Sequence, residues 1–436
     1  QRMIADGYTG RKGKGGFYRL EQSAGKKTKQ AMDLASGTYH DAVRKPRFAS
    51  LKKARVDNLR ELMDHSDAAG RYAWTVMART LSYAAWLIPE VADSPAVVDE
   101  AMRLGYNWKY GPFELIDRLG PAWFADKLRS QAIPVPAFLE KVGDASFYQV
   151  EGGKLHQFTY SGSYAPVQRP DAVLLLSDVK RATKPIATNR SASLWDIGSG
   201  VACLEFHSKM NTMGAGVIEG INKAINLAEK DFQGLVIGNQ GANFSAGANL
   251  GVLFMYAIEQ EYEEIDMMIR QFQNTVARAR FSSIPVVVAP HGLTLGGGCE
   301  LSMHADVVQA AAETYIGLVE VGAGVIPGGG GTKELTMRVS DRMQTGDVEY
   351  NALQNTFMNI ATAKVASYAH EARDFDILRP QDLISINKDR QIGDAKRTVL
   401  ALSEAGYNKP TPRTDIKVQG KGGMALFLAG INGMKM

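Results

Sequence analysis

The sequence predicts a small all-helical unit over residues 70–145, followed from about residue 195 by an α/β domain. Three observations carry that expectation. Between Arg71 and Leu119, apolar residues recur at helical spacing, with stop signals at glycines. After Trp195, short apolar runs alternate with amphipathic stretches, the pattern of strands covered by helices. Turns rich in glycine and small residues punctuate this second half at Asn243–Leu250, Gly296–Gly298 and Ile326–Thr332.

Length and composition set the frame. A chain of 436 residues has room for two or three domains and more than one core. The apolar (45%) and charged (22%) fractions are those of a globular protein. A net charge of +4, from 50 basic and 46 acidic residues, argues against a dedicated nucleic-acid binder. Two cysteines, Cys203 and Cys299, exclude a disulfide framework and a cysteine zinc cage, and no other metal ligand set is spaced for binding. No apolar run approaches the ~20 residues of a membrane span, and no secretory signal opens the chain, so a cytoplasmic location is expected.

In chain order, residues 1–20 read as a short apolar piece ending in the basic turn Gly10–Tyr18. Residues 21–66 carry Lys26, Lys27, Lys29, Arg44, Lys45, Arg47, Lys52, Lys53 and Arg55 and read as a solvated linker, partly helical. From Arg71 to Ile88 a helix is expected, with Tyr72, Val76, Met77, Leu81, Ala84, Leu87 and Ile88 on its apolar face. Ser94-Pro95 signals the next helix, ending at Gly105, and another runs from Pro112 to Leu119. Residues 146–195 read as a polar linker with one hairpin. Strands are expected at Val201–Phe206, Gly234–Gly238, Pro285–Ala289, Asp306–Ala310 and Tyr315–Gly317. Helices are expected at Val217–Leu227, through Ile258–Ala279 as one long element, and at Asp389–Ala405. An edge strand is expected near Asp374–Ile386, and the glycine-rich tail from Gly420 reads as cut short.

The stretch Asp99–Asp117, with its Gly-Tyr and Gly-Pro-Phe-Glu pattern, resembles the C-terminal helical domain of 3-hydroxyacyl-CoA dehydrogenases. Gly10–Tyr18 similarly resembles the end of a first copy of that domain. The resemblance implies an NAD-binding Rossmann domain, with a His–Glu pair, ahead of this chain. The closest approach to a dinucleotide fingerprint here, Gly322-Ala-Gly324, has Pro327 three residues on and does not qualify. No cofactor is therefore expected within this chain, and NAD only with the Rossmann domain.

Chemistry concentrates in the second half. Three glycines, Gly296–Gly298, bare the backbone between an apolar strand and a helix carrying Glu300. Glu320 follows a short strand, and Asn243–Leu250 is a small-residue loop opening toward a helix. Singly, Glu300 reads as a first-turn helix charge and Glu320 as a surface residue. Together, over residues 195–340, these features resemble the crotonase (enoyl-CoA hydratase/isomerase) superfamily. The resemblance implies that the Ala248 and Gly297 amides form an oxyanion hole for a thioester oxygen. It implies that Ala246, Gly247 and Gly328 meet coenzyme A, the Ala246 backbone reaching the adenine. It also implies that Glu300 and Glu320 are the two acids with which family hydratases handle water. Asn249 stands where the family often has Asp. His207, His291, His304 and Cys299 read as structural.

The expected organisation is the end of a first dehydrogenase-type helical repeat with a basic linker (1–66), a second helical domain (67–150), a linker (151–194), an α/β crotonase-like domain of repeated ββα units (195–380) and a truncated C-terminal helical segment (381–436). This order resembles the C-terminal portion of bacterial bifunctional dehydrogenases of fatty-acid β-oxidation. The expected activity is hydration of a trans-2-enoyl-CoA thioester. An enoyl-CoA isomerase using Glu320 alone, an idle CoA-binding scaffold and a homo-oligomeric state stay open.

Overall fold

The computed structural model describes residues 2–10, 13–23, 26–42, 47–53 and 58–434. Arg11, Lys12, Arg44, Lys45 and Arg55 of the basic stretches lie outside them. The chain divides into two compact units, residues 1–149 with 156–165 and residues 150–155 with 166–436.

The first unit opens on an element the sequence reading missed. Instead of a linker, strands Tyr18–Ser23 (β1), Lys26–Met32 (β2) and Tyr39–Asp41 (β3) form an antiparallel sheet in the order β1-β2-β3. The lysines conceal a period of two: Lys27 and Lys29 are exposed while Thr28 and Gln30, which alternate with them, are half-buried. Cationic side chains also cover aromatic ones, Arg19 lying 4.1 Å from the Tyr39 ring centroid and Lys29 4.4 Å from that of Tyr18.

Helices follow at Ala68–Trp86 (α1), Pro95–Tyr106 (α2), Pro112–Leu119 (α3), Pro121–Ser130 (α4) and Ala137–Val142 (α5). The buried stripe of α1 is Trp74, Ala78, Leu81 and Ala85, whereas Tyr72 and Val76 are exposed. This helix is apolar on two sides, and periodicity alone does not say which side meets the core. Helix α2 runs past Gly105 and ends where Asn107 adopts a left-handed conformation (φ 55°), as a C-terminal cap requires. Asp99, fully buried, accepts the Phe113 and Glu114 amides at 2.8 and 3.1 Å and the Tyr148 hydroxyl at 2.9 Å. One carboxylate thus satisfies amides that the first turn of α3 leaves unpaired.

In the second unit, Ala187–Thr188 (β4), Ala192–Asp196 (β5), Val201–Phe206 (β6), Gly234–Gly238 (β7), Val286–Ala289 (β8), Val307–Ala311 (β10) and Leu383–Ser385 (β13) form one sheet. Its order is β13-β10-β8-β7-β6-β5-β4. A smaller sheet joins Gly292–Leu295 (β9), Thr314–Gly317 (β11) and Val365–Ala366 (β12) in the order β9-β11-β12. Strands β6, β7 and β8 are buried throughout, which is why they read as unbroken apolar runs. Alternate residues serve two cores: Leu235 and Ile237 join one with Val217 and Ile221, while Val236 joins another with Ile392 and Val399.

Helices in this unit that bear on the site are Ala215–Asp231 (α6), Leu250–Glu259 (α7), Tyr262–Arg280 (α8), Gly297–Met303 (α9), Gly331–Arg342 (α10) and Gln391–Glu404 (α11). Three expectations change. The fold begins before residue 195, since β4 and β5 lie in the supposed linker. The segment after 381 belongs to the same unit, since β13 pairs with β10 and α11 covers the sheet. The long helix is two, broken at Gln260 (φ 60°), and Ile258 and Tyr262 at the break are exposed.

The repeated ββα unit is visible twice, as β8-β9-α9 and β10-β11-α10. Both halves pair in parallel with their counterparts, Val287 opposite Val307 and Leu295 opposite Gly317. That register brings the two chain segments carrying Glu300 and Glu320 side by side.

Candidate active site

The site forms where the Asn243–Asn249 loop runs along β9. Ser245 donates to Leu293 O at 3.0 Å and Leu295 returns a bond to Ser245 O at 3.0 Å. On the other side, Met213 N donates to Gly247 O at 2.8 Å within an isolated parallel bridge between Met213 and Ala248. Such a bridge uses the peptide groups flanking Ala248 rather than its own amide. Gly247 has φ +89°, and a Cβ there would sit 2.8 Å from Leu295 O and 3.5 Å from Gly297 N. The two loops therefore meet backbone to backbone, which a side chain at this position would prevent. Among the described residues, neither the Ala248 nor the Gly297 amide donates to a protein acceptor. Ala248 is exposed and Gly297 buried.

Glu300 lies in α9, 4% exposed, and its Oε1 accepts the Gly331 amide at 2.9 Å. Burial raises its carboxyl above the usual range, and the Gly331, Gly329 and Gly330 amides oppose that rise. A Cβ on Gly329 would overlap both Glu300 Oε2 and the Phe272 ring, so only glycine lets the turn close on this carboxylate. Glu320 stands in the 3-10 turn Glu320–Ala323, after β11. Both of its carboxyl oxygens are buried with no hydrogen-bond partner among the described residues. Burial first, and then the Glu300 charge, push the Glu320 carboxyl up to about 7. Its Oε1 is 3.3 Å from where a Gly296 Cβ would be, and Gly296 N donates to Gly317 O at 3.0 Å. Glu320 thus lies against Gly296 of the triplet without a partner among the described residues, and Glu300 lies against Gly329 and Gly331, anchored by an amide.

The residues expected to meet coenzyme A are distributed around this centre. Ala246 commits its amide to Met210 O at 3.1 Å, so any contact it makes with adenine falls to its carbonyl. Gly247 is the closure point described above. Gly328, half-buried, accepts Gln273 Nε2 at 2.6 Å, and a Cβ there would meet nothing nearer than 3.7 Å. Asn249 caps α7, accepting Gly251 N at 3.2 Å, a task asparagine performs as well as aspartate. Leu318, buried, packs against Gly331 and helps desolvate Glu300.

Sequence reasoning missed two neighbours. Phe272 was visible only as one apolar residue of a helix, yet its ring lies against Gly297 and Gly329. His304, read only as structural, bonds the Glu300 backbone carbonyl at 2.7 Å. His291 holds Gly241 O at 3.0 Å and Cys299 is fully buried. Gly322 and Gly324 lie in and just after the Glu320–Ala323 turn rather than opening a helix, and do not suit a dinucleotide. No helix among the described residues is long and apolar enough to cross a membrane.

Residues 196–348 match the family model of enoyl-CoA hydratase/isomerase, and residues 70–150 match that of the 3-hydroxyacyl-CoA dehydrogenase C-terminal domain. The chain therefore holds a crotonase-like domain and a domain of the dehydrogenase C-terminal type. Over 441 aligned residues it is 38% identical to the "Probable 3-hydroxyacyl-CoA dehydrogenase" of Bacillus subtilis (strain 168), covering 100% of this chain and 55% of that protein. It is 29% identical to the "Putative fatty acid oxidation complex trifunctional enzyme" of Rickettsia felis (strain ATCC VR-1525 / URRWXCal2), over 86% of this chain and 48% of that protein. It is 31% identical to the "Probable enoyl-CoA hydratase, mitochondrial" of Dictyostelium discoideum, over 31% of this chain and 48% of that protein. The chain spans about half the length of the curated relatives it matches.

Proposed function

We propose that the second unit hydrates trans-2-enoyl-CoA thioesters to 3-hydroxyacyl-CoA. The observation that carries this reading is the pairing of a buried carboxyl without a partner among the described residues, Glu320 beside Gly296, with an amide-anchored one, Glu300 beside Gly329 and Gly331. Environments that separate two acids in this way assign their roles. Glu300, held by amide donors, serves as the carboxylate that takes a proton from the attacking water. Glu320, keeping its proton up to about pH 7, delivers one to C2. Water bonds to C3 and the alkene electrons shift onto the thioester oxygen. The Ala248 and Gly297 amides receive that charge, each such donor contributing roughly 3–4 kcal/mol to the transition state. Collapse of the enolate onto the Glu320 proton completes the addition, leaving both acids in exchanged protonation states that solvent resets.

The fuller reading is a β-oxidation enzyme in which a dehydrogenase portion outside this chain oxidises the hydroxyacyl product with NAD. The names of the longer relatives and the match at residues 70–150 support it. The test is to follow loss of enoyl absorbance with crotonyl-CoA for the protein and for Glu300→Gln and Glu320→Gln. Hydration reduced about 10²–10⁴-fold by each substitution supports the reading. Isomerisation of a 3-enoyl-CoA that survives Glu300→Gln replaces it with an isomerase, and CoA binding without turnover replaces it with a scaffold.

A further inference from the structure

A polar network behind Glu300 is not used by the chemistry above, and its bonding pattern fixes a protonation state. His304 follows α9, is 1% exposed, and has Nδ1 2.7 Å from the Glu300 carbonyl oxygen. A carbonyl only accepts, so Nδ1 carries the hydrogen. Its Nε2 lies 2.9 Å from Lys333 Nζ and 3.4 Å from Glu334 Oε1; the shorter contact, with an ammonium that only donates, leaves Nε2 bare. The imidazole is neutral, as burial also demands. Lys333 in turn pairs with the buried Glu334 at 2.7 Å, and Arg280 pairs with Glu334 from α8. Arg280 and Arg338 both donate to Met303 O, at 3.0 and 2.9 Å, tying the end of α9 to α8 and α10. The His304 ring rests on Gly330: a Cβ there would lie 2.7 Å from its Cε1. Gly330 is the centre of the Gly329–Gly331 turn whose amide reaches Glu300 Oε1.

We propose that His304 is a positioning residue for the Glu300 carboxylate, binding the Glu300 backbone on one edge and Lys333 on the other so that the Gly329–Gly331 turn stays closed on the acid. This inference rests on the proposed function only for its kinetic consequence. Geometrically, one neutral ring spans the helix that carries the acid and the helix that follows the turn.

The experiment compares His304→Leu with His304→Asn, whose amide nitrogen stands close to the position of Nδ1 and donates to the same carbonyl. Two readouts are needed: crotonyl-CoA kinetics, and hydrogen exchange of the peptide spanning residues 327–334 followed by mass spectrometry. The expected result for His304→Leu is exchange about tenfold faster in that peptide and kcat lowered about tenfold or more, with KM within about threefold of the parent. His304→Asn, which keeps the bond to the Glu300 carbonyl and has no Nε2 for Lys333, is expected to fall between leucine and the parent in both readouts. Unchanged exchange in the leucine variant, unchanged kcat despite faster exchange, or an asparagine variant no better than leucine overturns the proposal. If the parent protein shows no hydration at all, the proposed function fails, and the exchange comparison still decides whether His304 holds the turn. Should His304→Leu not fold, Lys333→Met breaks the tie from its half-exposed end; faster exchange of the same peptide supports the proposal, and parental exchange overturns it.

Discussion

The Gly331 amide donates to Glu300 Oε1 at 2.9 Å, joining residues 31 positions apart in the chain. The bond exists because the Gly329–Gly331 turn comes closer to the carboxylate than a turn with side chains would allow. Gly329→Ala places a methyl group on Glu300 Oε2 and on the Phe272 ring. The expected outcome is a fall in kcat of about 100-fold from displacement of the acid, and a loss of about 1–3 kcal/mol in stability from overpacking. Gly322→Ala is the control, since a Cβ there meets only the Ala363 methyl at 3.6 Å. Steady-state kinetics and thermal unfolding of both variants check this.

Glu320 predicts a stability effect opposite in sign to its catalytic one. Its folded-state carboxyl is raised to about 7 from an ordinary 4.5, so between those values the folded chain holds a proton that the unfolded chain has released. Stability therefore falls as pH rises from about 4.5 to 7, and the deficit persists above 7. Glu320→Gln removes the ionisation and keeps the shape. It is expected to leave the melting temperature unchanged at pH 4 and to raise it at pH 8, by about 1–3 kcal/mol of stability, while hydration is lost. A glutamine variant that is less stable than the parent at pH 8 sinks the idea.

The same carboxyl sets the pH–rate profile. Because kcat/KM reports groups in the free enzyme, it is expected to fall about tenfold per unit above about 7, as Glu320 loses the proton it delivers, and to fall on the acid side as the Glu300 base takes up a proton. In Glu320→Gln the alkaline limb disappears along with most of the rate. A profile that instead rises through pH 7 assigns Glu320 as the base and exchanges the roles of the two acids.

The parts of this molecule legible in the sequence are those whose neighbours leave a periodic trace. Val286–Ala289 and Gly234–Gly238 are buried on both faces, so they stand out as apolar runs. The glycine triplet is a local signal, whereas Glu300 and Glu320 read singly as a helix charge and a surface residue and are picked out only through the resemblance. The β1–β3 sheet was hidden because Lys27 and Lys29 occupy its outward positions and their charge outweighs the period of two. The edges of the second unit were hidden too, since β4 and β13 are only two and three residues long. Phe272, His304 and Lys333 were not legible as site residues: what places them at the turn is packing between helices, and no spacing rule reports that.

In the first unit, Asp99 offers a test of how much one buried carboxylate holds. It accepts two amides at the start of α3 and the Tyr148 hydroxyl, and Gly111 leaves it room, since a Cβ there would collide with it. Asp99→Asn keeps the volume but turns one acceptor oxygen into an NH2 group facing donors. At least one of the Phe113, Glu114 and Tyr148 donors then lacks an acceptor in a fully buried place. The expected cost is about 1–3 kcal/mol, seen as a lower unfolding midpoint and as faster amide exchange confined to residues 95–120 and 147–148. Exchange in that segment equal to the parent's would show that the carboxylate is dispensable, and that the aromatic packing of Phe113 on Phe147, centroids 4.7 Å apart, holds α3 without it.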